Sequence, residues 1–167
     1  SSLMVYAPSI SMTNFLTSNK GMLKLNYLYL NGVLITINSI KYLLNMMNDK
    51  TPSTINLFDI LVRGQTELQF IIKQIFKIKK HRADLYLICR DLTESDIIQG
   101  LRALATGLTN KEISIAFRIY VNFNKQTIEE IQTIFQENPI MNSLEIKSNN
   151  ASIQIMDGKC HLMFYHD

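Results

Sequence analysis

A strand-then-helix pattern recurs along the chain, opening at Leu28, Ile55, Leu85, Ile113 and Leu144, so that successive starts lie 27, 30, 28 and 31 residues apart. Self-similarity at a spacing of this size is the signature of a stacked repeat protein. In such a stack each unit buries its neighbours' apolar faces, and function lies along the continuous surface that the units present together.

Within each unit two periodicities alternate. Leu28 and Leu30 sit two apart on one face of a strand, and Ile40, Leu43, Leu44 and Met47 follow at helical spacing. The second unit has Ile55 and Leu57, then Leu68, Ile71, Ile72, Ile75 and Phe76. Leu85 and Leu87 precede Ile97, Leu101, Leu104 and Leu108 in the third, and Ile113 and Ile115 precede Ile128, Ile131, Ile134 and Phe135 in the fourth. Helix starts are expected at Thr66, Thr93 and Thr127, each followed at the third residue by Gln69, Asp96 or Glu130 in capping-box spacing. Gly107, Asn138-Pro139 and Thr51-Pro52 mark ends.

The ends of the chain differ from its middle. Leu3 and Val5 read as a strand and Ile10 to Leu16 as a stunted return, so residues 1–22 form an N-terminal cap or partial repeat. Repeats are expected at 23–53, 54–82, 83–111 and 112–142 in a single domain covering 1–167. In 143–167 a fifth strand at Leu144 gives way to Ile153-Gln154-Ile155, the turn pair Asp157-Gly158 and Cys160 to Tyr165, a β-hairpin closing the sheet edge.

Composition narrows the classes further. With 47% hydrophobic and 19% charged residues the chain is too apolar for a disordered segment, and no run reaches the roughly 20 apolar residues of a membrane span. The first residues lack the basic and apolar regions of a signal peptide. A net charge of +3, spread along the chain, does not imply nucleic-acid binding. Cys89 and Cys160 form no CxxC pair, so a reducing, cytoplasmic setting without disulfide or zinc is expected, and the sequon Asn150-Ala151-Ser152 is read as chance.

No glycine-rich phosphate loop, nucleophile elbow, HExxH or paired-cysteine motif is present, and no catalytic residue, metal, cofactor or small-molecule substrate is expected. Cys89 and His81 could be considered as a nucleophile and base, but a small buried strand-end cysteine is the better account. His161 and His166 lack a third ligand nearby in sequence. The one charge concentration, Lys73, Lys77, Lys79, Lys80, His81 and Arg82, reads as a solvated helix end, with an acidic-surface or RNA site through Lys73, Lys77, Lys79, Lys80 and Arg82 as the alternative.

Residues alternating with the buried strand positions line the other side of the sheet. They fall into three ladders: Tyr27, Thr54, Asp84, Glu112 and Ser143; Tyr29, Asn56, Tyr86, Ser114 and Glu145; Asn31, Phe58, Ile88, Ala116 and Lys147. Rigid aromatic rings among scattered carboxylates suit a protein interface, and Tyr29, Phe58 and Tyr86 are its expected anchors, with Tyr27, Asn31, Asn56, Asp84, Glu112 and Glu145 around them.

The phrase Leu25-x-x-Leu28-x-Leu30 followed by an amphipathic helix, repeated over about residues 3 to 148, resembles the leucine-rich repeat family, in particular its ribonuclease-inhibitor-like subclass. The family's asparagine after the strand is replaced by Val33, Ile60, Arg90 and Arg118, which predicts irregular curvature. The resemblance implies an α/β fold: a right-handed solenoid with a parallel concave sheet, outer helices and protein binding as its usual function. A small Ile-, Asn- and Lys-rich chain of this kind also resembles secreted effectors of intracellular bacteria such as Legionella, which implies delivery into a host cytosol and, as partner, a host protein or another effector. The expected function is therefore a non-enzymatic adaptor or steric inhibitor. A small enzyme or nucleotide-binding domain on a doubly wound sheet is the alternative, recognisable by a reversal of strand order.

Overall fold

Strand alternation and helical stripes build two layers. The computed structural model describes residues 2–6, 27–31, 37–46 and 53–165, and all statements below concern these. In chain order they form β1 (Ser2–Tyr6), β2 (Tyr27–Asn31), α1 (Ile37–Met46), β3 (Thr54–Arg63), α2 (Gly64–Phe76), β4 (Arg82–Arg90), α3 (Glu94–Gly107), β5 (Ile113–Ile119), α4 (Lys125–Glu137), β6 (Leu144–Lys147), β7 (Ala151–Met156) and β8 (Lys159–Phe164). The expected return over Ile10 to Leu16, Met47, the Thr51-Pro52 stop and His166 lie outside the described residues.

The sheet runs β1 to β8 in strict chain order. Neighbours from β1 through β6 pair in parallel, and β6–β7 and β7–β8 pair antiparallel, which makes an open, mixed α/β sheet. Every second residue points into the core in β4 and β5, and in β3 on either side of one added residue: Ile55, Leu57, Ile60 and Val62; Ala83, Leu85, Leu87 and Cys89; Ile113, Ile115, Phe117 and Ile119. The helical stripes meet them there. Ile40 and Leu43 of α1, Leu68, Ile71, Ile72 and Ile75 of α2, Ile97, Leu101 and Leu104 of α3, and Ile128, Ile131, Ile134 and Phe135 of α4 are all buried in the same cluster. Each helix packs on the next, so the helices cover one face of the sheet and leave the other open.

The register departs from the counted period by two residues. Leu28 pairs with Ile55 and Ile55 with Ala83, not Leu85, and Leu144 pairs with Ile115, not Ile113. An alternating pattern looks the same after a two-residue slide, which keeps every side chain on its face while changing its cross-strand neighbours. A bulge in β3 adds to the drift. Leu57 pairs with Leu85 but Ile60 with Leu87, so Phe58 and Asp59 together stand opposite Tyr86, and Asp59 takes a φ of 64°.

The caps differ at two of three helices. Thr93 caps α3 as expected: its hydroxyl accepts from Asp96 N at 3.2 Å, and Thr93 N donates to Asp96 Oδ2 at 2.9 Å. Helix α2 instead starts directly after β3 through Gly64, at φ 75°, so Thr66 lies inside it and Glu67 Oε2 accepts from Arg63 N at 2.6 Å. For α4 the cap is Asn124, whose side chain accepts from Thr127 N at 2.8 Å, freeing the Thr127 hydroxyl to donate to Glu94 of α3. The hairpin stands where the sequence places it, with Asp157 at φ 52° and Gly158 at φ 75° forming the two-residue turn between β7 and β8, but it shifts the open edge from β6 to β8 instead of closing it, because β8 pairs only with β7.

Candidate partner-binding surface

The open face of the sheet is built by the residues that alternate with the core, and their rows follow the observed register. Tyr27, Thr54 and Arg82 share the first row. Tyr29, Asn56, Asp84 and Ser114 share the second. Next come Phe58 at the bulge, then Tyr86, Ala116 and Glu145 in direct register. Leu61, Ile88, Arg118 and Lys147 make the fourth, and Arg63 pairs with Arg90 at the carboxyl ends. The ladders expected from the sequence are therefore regrouped: Asp84 moves from the Thr54 row to the Asn56 row, Tyr86 and Glu145 stay in one row but leave Tyr29 and Asn56 and have Ala116 between them instead of Ser114, and Arg82 enters the sheet. Asn31 pairs with Tyr6 of β1.

Chemically the face has an apolar middle between polar ends. Phe58, Leu61, Tyr86, Ile88 and Ala116 are half-buried neighbours across three strands. Side chains that stay half-covered by their neighbours present broad, rigid contact area at little entropic cost. Glu145, half-buried, is held by Lys147, with Nζ 3.3 Å from Oε1. Glu112 is exposed just before β5, and its backbone N donates to Asn110 Oδ1 at 3.0 Å.

Two basic groups flank the face. Lys73, Lys77, Lys79, Lys80 and Arg82 are exposed around the end of α2 and the loop into β4, in keeping with a solvated helix end. His81, counted with them in the sequence, turns inward and is only 6% exposed. The other group is scattered in the sequence. Arg63, Arg90, Arg118 and Lys147 come from four successive strands, and Tyr120 is flanked by two of them, its ring centre 4.2 Å from the Arg90 guanidinium and 4.4 Å from that of Arg118. Arg118 also donates to Ile119 O at 2.8 Å and Lys147 O at 3.3 Å, which fixes it across the strand ends. Arg63 lies 3.9 Å from Asp91. The available signal was the recurrence of arginine at the strand-end position in two consecutive units, Arg90 and Arg118.

The thiols and histidines do not converge. Cys89 is 1% exposed, and desolvation pushes its thiol up to about 12, far from the thiolate a nucleophile needs. His81 precedes β4 while Cys89 lies near its other end, roughly 26 Å away at the rise of an extended strand. Burial also raises the thiol of Cys160. His161 is exposed on β8, and among the described residues no group of three or more His, Cys, Asp or Glu is placed to hold a metal. No helix among them is long and apolar enough to cross a membrane. The sequon asparagine serves the fold: Asn150 Nδ2 donates to Phe123 O at 2.8 Å while its Oδ1 accepts from Phe123 N at 2.9 Å. The chain matches no known protein-family model, no curated protein and no solved structure.

Proposed function

We propose that the chain is a leucine-rich-repeat-like, right-handed solenoid of the ribonuclease-inhibitor-like kind, and that it works without catalysis by holding a partner protein on the open, concave face of its sheet. The observation that carries this is the strictly sequential strand order with every helix on one face. That order leaves an uninterrupted opposite face on which Phe58, Leu61, Tyr86 and Ile88 adjoin Asp84 and Glu145. A doubly wound nucleotide-binding sheet binds where its strand order reverses, and the order β1 to β8 contains no reversal. The mode of action is steric: the module occupies or masks a surface of its partner as an adaptor or inhibitor, and in an effector setting the partner is a host protein or another effector.

Replacing Tyr29, Phe58 and Tyr86 together by Ala tests the reading. A partner captured from lysate by the parent chain should be lost by the triple variant, with the thermal transition nearly unchanged. Normal capture by a folded triple variant sinks the face assignment. Capture that persists there but falls steeply with added salt, and disappears on charge removal at Lys73, Lys77, Lys79 and Lys80, transfers binding to the basic loop.

A further inference from the structure

Exposed apolar side chains are not spread evenly over the described surface. Of the six exposed large apolar side chains among the described residues, Met156, Met163, Phe164 and Tyr165 belong to the terminal hairpin, while Tyr120 and Met141 stand singly elsewhere. Its second strand, β8, is the last of the sheet and pairs on one side only. An edge strand carrying apolar side chains is a template for another strand unless charge, proline or a bulge blunts it, and within β8 the only charge is Lys159 at its start.

The backbone of that edge has a defined polarity. Tyr165 N donates to Asn150 O at 3.0 Å, and Met156 pairs with Lys159 across the two-residue turn. In an antiparallel ladder the bonded pairs alternate, so Lys159, His161, Met163 and Tyr165 aim their N–H and C=O groups at β7. Cys160, Leu162 and Phe164 aim theirs outward.

This outward set is symmetric about Leu162. We propose that β8 pairs antiparallel with β8 of a second copy of this chain, with the two-fold axis passing through Leu162, to form a dimer with one continuous sheet. That register alone brings all three outward residues opposite one another, Leu162 to Leu162 and Cys160 to Phe164, and closes roughly six backbone hydrogen bonds. Core-facing Cys160 and Leu162, which pack against the apolar cluster, meet the same face of the other copy. On the open face Lys159 stands across from Tyr165 rather than from a second lysine, a cation over an aromatic ring, and His161 stands across from Met163. The two-fold lies perpendicular to the sheet, so the open faces of both copies point the same way. Two binding faces on one platform convert a weak single contact into a bivalent one.

Sedimentation of the parent chain and disulfide trapping test the register together. The parent chain should double in mass as its concentration rises. A residue on the two-fold sits within disulfide reach of its own counterpart, because paired antiparallel Cα atoms are about 5.5 Å apart. Leu162→Cys in a Cys160→Ser background should therefore oxidise to a covalent dimer, at least about ten-fold faster than Phe164→Cys in the same background, whose thiols would lie four residues apart. Phe164→Cys should link once Cys160 is restored. A parent chain that stays monomeric at high concentration overturns the proposal, including when an added peptide pairs with the edge instead. A dimer that fails to link through folded Leu162→Cys, or in which Phe164→Cys links equally with and without Cys160, overturns it as well.

Discussion

Asn142 and Asn110 make the same pair of bonds one repeat apart. Asn142 Nδ2 donates to Asn110 O at 2.9 Å and to Ile113 O at 2.8 Å, residues 32 and 29 positions earlier. Asn110 Nδ2 donates to Ile78 O at 3.1 Å and to His81 O at 2.9 Å, again 32 and 29 positions earlier. Each side chain thus supplies the two donors that close the loop of the preceding unit just before its strand. Asn142→Ala removes both donors, one of them to the buried Ile113 carbonyl, and should cost about 1–3 kcal/mol, and Asn142→Asp should cost more, because a carboxylate has no proton to donate. Urea midpoints at constant slope measure both. An Asp variant as stable as the parent at neutral pH would remove the asparagine from the stacking mechanism.

Thr93 and Thr66 carry the same spacing in sequence and opposite roles in the fold. Thr93 both accepts from and is answered by Asp96, while Thr66 is an exposed residue inside α2. Thr93→Ala should lose about 1 kcal/mol, and Thr66→Ala should stay within roughly 0.5 kcal/mol because alanine is the better helix former. Equal losses in thermal unfolding would contradict the assignment of the α2 start to Gly64.

How much of this was legible follows from which patterns have a unique reading. The stripe Leu68, Ile71, Ile72 and Ile75 has helical spacing alone, and it is buried as read. Alternation in Ile55-x-Leu57 and Leu85-x-Leu87 fixes faces but not register, so Phe58 and Tyr86 were placed on the correct side with the wrong neighbours. The β3 bulge at Asp59 was invisible because the added residue keeps a strand-like composition. The asparagine ladder is hidden for another reason: the family resemblance implies an asparagine after the strand, whereas Asn110 and Asn142 precede it. The rim of Arg63, Arg90, Arg118 and Lys147 is scattered in sequence and becomes one group only when four strand ends align.

Gly107 sits where α3 passes the ring of Phe76. A Cβ there would come 2.6 Å from Phe76 Cζ and 2.8 Å from Cε2. On an open helix Gly→Ala gains up to about 1 kcal/mol. Here the half-buried ring must move, and Gly107→Ala should instead lose about 1–2 kcal/mol. Phe76→Leu should relieve most of that loss, giving a coupling above about 0.5 kcal/mol in a double-mutant cycle. Additive effects would mean that the α2–α3 contact does not depend on the missing side chain.

Cys89 gives the fold an alkaline liability that needs no chemistry at the thiol. Packed with Leu68, Ile72, Phe117 and Ile119 around a small core void, it keeps its proton because burial holds the thiol up to about 12. The unfolded chain releases that proton in the ordinary thiol range. Between those two values the native state binds the more protons, so stability is fully present below the ordinary thiol range and falls as pH rises toward about 12. Cys89→Ala should cost about 1 kcal/mol near neutrality through lost packing, yet its deficit should shrink with a slope approaching 1.36 kcal/mol per pH unit above the unfolded thiol's titration. The comparison is made in a Cys160→Ser background, so that the second thiol drops out and the other titrating groups cancel. A deficit constant from pH 8 to about 10.5 would show that Cys89 ionises as readily folded as unfolded, contrary to its burial.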